Sequence, residues 1–132
     1  MLVSAAEWAR VVEGLAALPA HEAAEIYAGL DGMDAAALAG GPVACPILDG
    51  AGRCRVYAHR PLPCRMHGYY AAGAGGYWCE RIEAKVAAGA AEGVVFGRHE
   101  VVTRAAERAL GAPLSWSEWR ALRPGPGSAR PG

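Results

Sequence analysis

CPILDGAGRCRVYAHRPLPCR, residues 45–65, holds three of the chain's four cysteines, set among prolines, a glycine-bearing turn and four arginines. CPIL and RCRVY are short apolar-bearing runs joined by DGAG, a turn composition, so the stretch predicts a small β-hairpin between Cys45 and Tyr57. Such a hairpin brings Cys45 and Cys54 close together. Beyond it, Pro61 and Pro63 suit the first turn of a short helix carrying Cys64, Arg65 and His67. The remaining cysteine, Cys79, opens the next helical pattern.

Outward from this stretch the texture is helical on both sides. Ser4 and Glu7 form a capping-box signature, and Trp8, Val11, Val12, Leu15 and Leu18 recur at helical spacing, predicting a first helix over residues 4–18. Pro19 interrupts it. HEAAEIYAGL then resumes the pattern with Ile26, Tyr27 and Leu30, up to a break expected at Asp31-Gly32, after which DAAALAGG adds one more turn. AAGAGG, residues 71–76, reads as a flexible link. CERIEAKVAAGAAEGVVFG continues as a helical stretch from Cys79, and HEVVTRAAERAL follows with Val101, Val102, Ala105 and Leu110 on an apolar stripe. Ser115 and Glu118 form a second capping box for a short final helix with Trp116, Trp119 and Leu122.

A chain of 132 residues suits one domain. The expectation is a mainly α fold with a small β-hairpin, a single domain over residues 1–122 organised around a four-cysteine metal site, followed by a disordered tail, RPGPGSARPG, over residues 123–132. Hydrophobic residues make up 53% of the sequence, but much of that is Ala, so a few Trp, Leu, Val and Ile must build the core. Thirteen basic residues balance thirteen acidic ones, leaving no overall field for nucleic acid or an anionic membrane. The opening MLVSAAEWARVVEGL carries Glu7 and Glu13 and no basic n-region, which argues against a signal peptide, and no apolar run reaches membrane-spanning length. A cytoplasmic location follows. Disulfides rarely persist there, so the cysteines read as metal ligands or redox-active thiols.

The spacing C-x8-C-x9-C-x14-C lacks both the paired C-x-x-C knuckles of zinc ribbons and the C-x-x-C of thioredoxin-like sites. It leaves a site assembled by the fold from Cys45, Cys54, Cys64 and Cys79, the donor set of a tetrahedral Zn2+ or a 4Fe-4S cluster. Four thiolates around a doubly positive centre leave a net negative site that a protein interior resists. The arginines answer this. Between Asp49 and Glu80 there is no acidic residue, while Arg53, Arg55, Arg60 and Arg65 lie among the ligands, where guanidinium groups can donate to sulfur. Two blander readings stand beside it: four unrelated buried small hydrophobes, or a disulfide pair.

The same stretch closely resembles the YkgJ-type cysteine-cluster proteins. Their pattern of Cys-Pro, an apolar pair, an acidic Gly-rich turn ending in Gly-x-Cys, then x-Val/Ile-Tyr, Arg-Pro and Cys-Arg falls here on Cys45, Pro46, Leu48, Gly52, Cys54, Val56, Tyr57, Arg60, Pro61, Cys64 and Arg65. Members of that family are described as zinc- or iron-chelating, and the group includes flagellin lysine methylases. Many carry a further upstream C-x-x-C cluster, and this chain has no cysteine before Cys45. The resemblance implies a metal site at Cys45, Cys54 and Cys64, with Cys79 joining by position rather than by motif. The wide spacing and the Cys-Pro step lean toward a 4Fe-4S cluster over zinc.

His59 and His67 flank Cys64, and either could replace a ligand, His67 in a Cys3His zinc site for example, against a plainer role at a helix edge. Tyr57 is expected to pack under the hairpin, and Tyr69, Tyr70, Tyr77 and Trp78 either shield the site or belong to ordinary packing. HEAAE, residues 21–25, lacks the second His of H-E-x-x-H and reads as a solvated helix face. No nucleophile and base pair stands out. The sequence therefore reads as a small metal-binding protein with a structural, sensing or electron-transfer role rather than an enzyme. The alternative is a redox or methyl-transfer catalyst, or its accessory subunit, following the resemblance.

Overall fold

A computed structural model of the chain describes residues 1–40, 43–73, 76 and 79–122. The backbone groups into two compact units: Met1–Pro61 together with the chain from Pro113 onward, and Leu62–Ala112. The expectations placed on Tyr77, Trp78, the middle of the AAGAGG link and the tail over 123–132 lie outside the described residues.

The first unit begins with strand β1 (Leu2–Val3) and helix α1 (Ala5–Ala16). The capping box is present: the Ser4 hydroxyl accepts the Glu7 amide at 3.4 Å while the Glu7 carboxylate accepts the Ser4 amide at 2.8 Å. Two donors at the helix start are thereby satisfied. The apolar stripe then buries Trp8, Val11 and Leu15, with Val12 and Leu18 packed at its edge. Helix α2 (Ala20–Leu38) contributes Ile26 and Leu30 to the same core.

Here the sequence reading needs correcting, because α2 runs unbroken through Asp31-Gly32. Gly costs a helix interior only about 1 kcal/mol, and tertiary contacts on both sides of it outweigh that. Leu30 is fully buried, Met33 packs on the core, and Asp31 holds Arg120 through contacts of 2.9 and 3.1 Å.

Strand β4 (Leu114–Ser115) pairs antiparallel with β1, matching Leu2 to Ser115 and Val3 to Leu114, and leads into helix α6 (Trp116–Leu122). The second capping box is also present, with the Ser115 amide on the Glu118 carboxylate at 2.7 Å and the Glu118 amide on the Ser115 hydroxyl at 3.3 Å. Trp116 is buried edge-on against Trp8, with ring centroids 5.6 Å apart and planes at 88°. Trp119 donates its indole N–H to the Val3 carbonyl at 2.8 Å. Both tryptophans thus anchor α6 to the body of this unit.

The antiparallel sheet is therefore formed by β1 and β4, and the cysteine stretch forms no strand pair of its own among the described residues. Between Cys45 and Tyr57 there is a tight loop crossed by one ladder bridge, Leu48 to Cys54. Its turn is closed from within: Asp49 accepts the amides of Ala51 and Arg53, both at 2.9 Å, and donates its own N–H to the Arg53 carbonyl at 2.8 Å. With Asp49 bonding the turn and Pro46 lacking an N–H, little backbone is left for a regular ladder. A 3-10 turn over Tyr57–His59 ends the loop.

In the second unit, α3 (Leu62–Met66) carries Cys64 and Arg65 as expected, but it ends at Met66, so His67 lies in the turn beyond it. Strand β2 (Tyr70–Ala71) pairs in parallel with β3 (Gly97–Arg98), matching Tyr70 to Gly97, and the Tyr70 ring occupies the space a β-carbon at Gly97 would need. Helix α4 (Glu80–Ala87) starts with Cys79 as its N-cap but stops well short of the expected length, giving way to turns that use Gly89 and Gly93 at φ of 75° and 77°. Left-handed glycines end helices because no Cβ opposes that conformation. Helix α5 (His99–Leu110) follows the sequence reading, yet its stripe is weakly covered: Val102 is half-buried while Val101 is 60% exposed. Among the described residues no helix is long and apolar enough to cross a membrane.

Candidate metal centre

The cysteine loop of the first unit is seated on its two long helices by two glycines. A β-carbon at Gly29 of α2 would stand 2.6 Å from the Pro46 Cβ, and one at Gly14 of α1 would stand 3.0 Å from Val56 and from the His59 ring. Only glycine lets the loop backbone approach this closely. Ile47 and Val56, one on each arm of the loop, are buried in the core, and Cys45 and Cys54 pack against that core half-buried. The Arg10 guanidinium adds a bond of 3.3 Å to the Ala58 carbonyl.

Leu48 donates its N–H to the Cys45 carbonyl at 3.1 Å and sits opposite Cys54 in the bridge. Burial pushes the Cys45 thiol above its ordinary range, amide N–H bonds from Ile47 and Leu48 to its sulfur pull the other way, and the nearby Cys54 thiolate charge raises it further.

Cys64 lies on α3 and Cys79 at the start of α4, both half-buried, and no disulfide joins any of the four cysteines. Among the described residues no group of three or more His, Cys, Asp or Glu is gathered so as to hold a metal ion.

The arginines fall into different environments. Arg53 is exposed and bridges to Asp49 at 3.0 Å, while the Arg60 guanidinium lies 3.6 Å above the Tyr57 ring. That ring is 65% exposed, which corrects its expected place under the loop. Arg65 is exposed on α3. Arg55, next to Cys54, reaches Glu22 of α2 at 3.2 Å, so HEAAE is more than the solvated face it resembles. Sequence reasoning missed this pair, and Glu22 facing an arginine cluster was the only signal available for it. The Arg55 Nε remains buried with no hydrogen-bond partner, as does His59 Nδ1. His67 is exposed.

Compared with known protein families, curated proteins and solved structures, the chain matches none. Its chemistry has to be read from its own residues. The second unit carries an apolar groove of about 300 Å³ lined by Tyr69, Ile82, Lys85, Val86, Val95 and Phe96 among others, with no nucleophile and base pair in it.

Proposed function

We propose that the chain is a small metal-binding protein in which Cys45, Cys54, Cys64 and Cys79 together hold one 4Fe-4S cluster or one Zn2+. The observation that supports the reading is the closed loop that carries Cys45 and Cys54, bridged at Leu48 and Cys54, in which the Arg55 Nε is buried and, among the described residues, has no acceptor. A buried unsatisfied donor costs about 1–3 kcal/mol, and a thiolate or sulfide acceptor would relieve it. A bound cluster would supply one-electron transfer, and zinc a structural clamp.

The chain's own residues have defined parts in this reading. The Arg55 guanidinium would offset the excess charge of the thiolates while Glu22 fixes its position, and Gly14 and Gly29 seat the loop that carries Cys45 and Cys54. Arg53, Arg60 and Arg65 add positive charge around it. The role is structural, sensing or electron transfer.

The test is elemental and sulfide analysis of protein purified without oxygen, on the wild type and with each cysteine changed to serine in turn. Iron with sulfide and a brown colour identify a cluster; zinc in colourless protein identifies the other metal. Each substitution is expected to lower metal content. Unchanged content in Cys64→Ser would end the four-ligand reading.

A further inference from the structure

The apolar groove of the second unit takes no part in the metal reading, and its lining has a pattern of its own. Ile82 and Val86 stand one turn apart on α4, so they share a face of that helix, and both are half-buried. The other lining segments are tied to each other: Gly68 and Tyr69 lead into β2, Val94, Val95 and Phe96 lead into β3, and the Gly97 amide donates to the Tyr69 carbonyl at 3.1 Å. A β-carbon at Gly68, where φ is 86°, would stand 3.1 Å from the Ile82 Cδ1, so glycine lets this wall approach α4. The cover over these groups is incomplete, with Tyr69, Val94 and Val95 exposed by 72%, 55% and 93%. Apolar side chains gathered in this way at a surface mark a place where something apolar docks.

The single charge in the lining decides the kind of ligand. Lys85 lies beside Ile82 and Val86 on α4, and among the described residues no carboxylate bridges to its ammonium. The helix end does not occupy it either, because the Ala84, Lys85 and Val86 carbonyls already accept the Ala88, Ala90 and Gly89 amides at 3.0, 2.9 and 3.0 Å. A volume of about 300 Å³ lies at the lower end of the range for small-ligand pockets, and an apolar trough with one uncommitted cation matches an unbranched chain that ends in an anion. We propose that this groove binds a medium-chain aliphatic carboxylate, with the chain laid on Ile82, Val86 and Phe96 and the head group on Lys85. The chain gains by leaving water, and the ammonium sets which end points where.

Sodium decanoate, kept below its micellar concentration, is the probe, titrated into the full-length protein and followed by calorimetry and amide resonances. The amides of Ile82, Val86 and Phe96 are expected to shift while those of α1 stay in place. Affinity should rise about 2-fold or more for each methylene added from hexanoate to decanoate. Lys85→Gln should weaken decanoate about 2- to 5-fold, more at low salt, and Lys85→Arg should restore it. Decanol, which has the chain without the charge, should bind wild type and Lys85→Gln alike. Val95→Asp places a carboxylate at a position 93% exposed, where it leaves the fold undisturbed, and should weaken decanoate more than decanol. Equal decanoate affinity in wild type and Lys85→Gln, or shifts that miss the groove, would overturn the proposal. So would binding only to vesicles that contain decanoate, or the same shifts on concentrating the protein alone, which would mean that a second copy covers the groove. No arm of the test reads metal, so its outcome stands apart from that of the four-cysteine reading.

Discussion

Gly29 has a hydrogen where a methyl group would meet the Pro46 ring at 2.6 Å, whereas three residues on, at Gly32, nothing lies within 4 Å. Both sit in α2, so the pair separates helix propensity from packing. Gly29→Ala is expected to destabilise the apo protein by about 1–3 kcal/mol because the rigid proline cannot move aside without shifting the loop. Gly32→Ala is expected to stabilise it by about 0.5–1 kcal/mol. Chemical denaturation of both variants checks this, and shifts of the same sign would count against the close seating of the loop. A second residue-scale effect concerns Glu118, whose carboxyl is held below its ordinary range first by the Ser115 amide and then by the Ser115 hydroxyl. A depressed folded value means stability that is full above the ordinary glutamate range and is lost as pH falls below it through the folded value. Glu118→Gln should therefore lower the melting temperature at neutral pH and converge with wild type in acid, as a series of thermal melts across pH would show.

At the scale of elements, what could be read from the sequence was what is encoded locally. Helix α1 was legible because Ser4, Glu7 and the stripe from Trp8 to Leu15 are its own cap and its own buried face, and α6 was legible for the same reason. The continuity of α2 was not legible, since the partner that binds Asp31 is Arg120, 89 positions away. Likewise the regular hairpin expected after Cys45 gave way to a loop that Asp49 closes with side-chain bonds. The seating on Gly14 and Gly29 carries no local signature at all. Arg120 itself makes a forked contact with Asp31, lies 4.2 Å above the Tyr27 ring and has a side chain only 10% exposed. Arg120→Ala should cost about 1.5–3 kcal/mol, and Arg120→Lys should recover little of it, because an ammonium cannot reproduce the fork. Urea unfolding followed by tryptophan fluorescence reads both, since Trp116 and Trp119 share that helix.

Across the whole molecule, burial is unevenly distributed between the two units. The core of the first contains Trp8, Leu15, Ile26, Leu30 and Trp116, all nearly inaccessible, while α4 and α5 of the second contribute no buried residue. Local opening free energy follows buried apolar packing. Amide exchange in the apo protein is therefore expected to be slowest in α1 and the middle of α2 and fastest in α4 and α5. On the four-cysteine reading proposed above, loading with metal should also slow exchange around Cys64 and Cys79. Exchange measured by mass spectrometry with and without Zn2+ checks both statements.

The pairing of β1 with β4 and the stacking of Trp8 on Trp116 join residues from opposite ends of the described chain. During synthesis, the apolar faces of α1 and α2 emerge from the ribosome long before α6 exists to cover them. Closing that core requires contacts of very long sequence separation, which slows folding. The nascent chain should therefore depend on chaperone cover until α6 has been made, and truncations that stop before Trp116 should aggregate rather than accumulate as smaller folded domains.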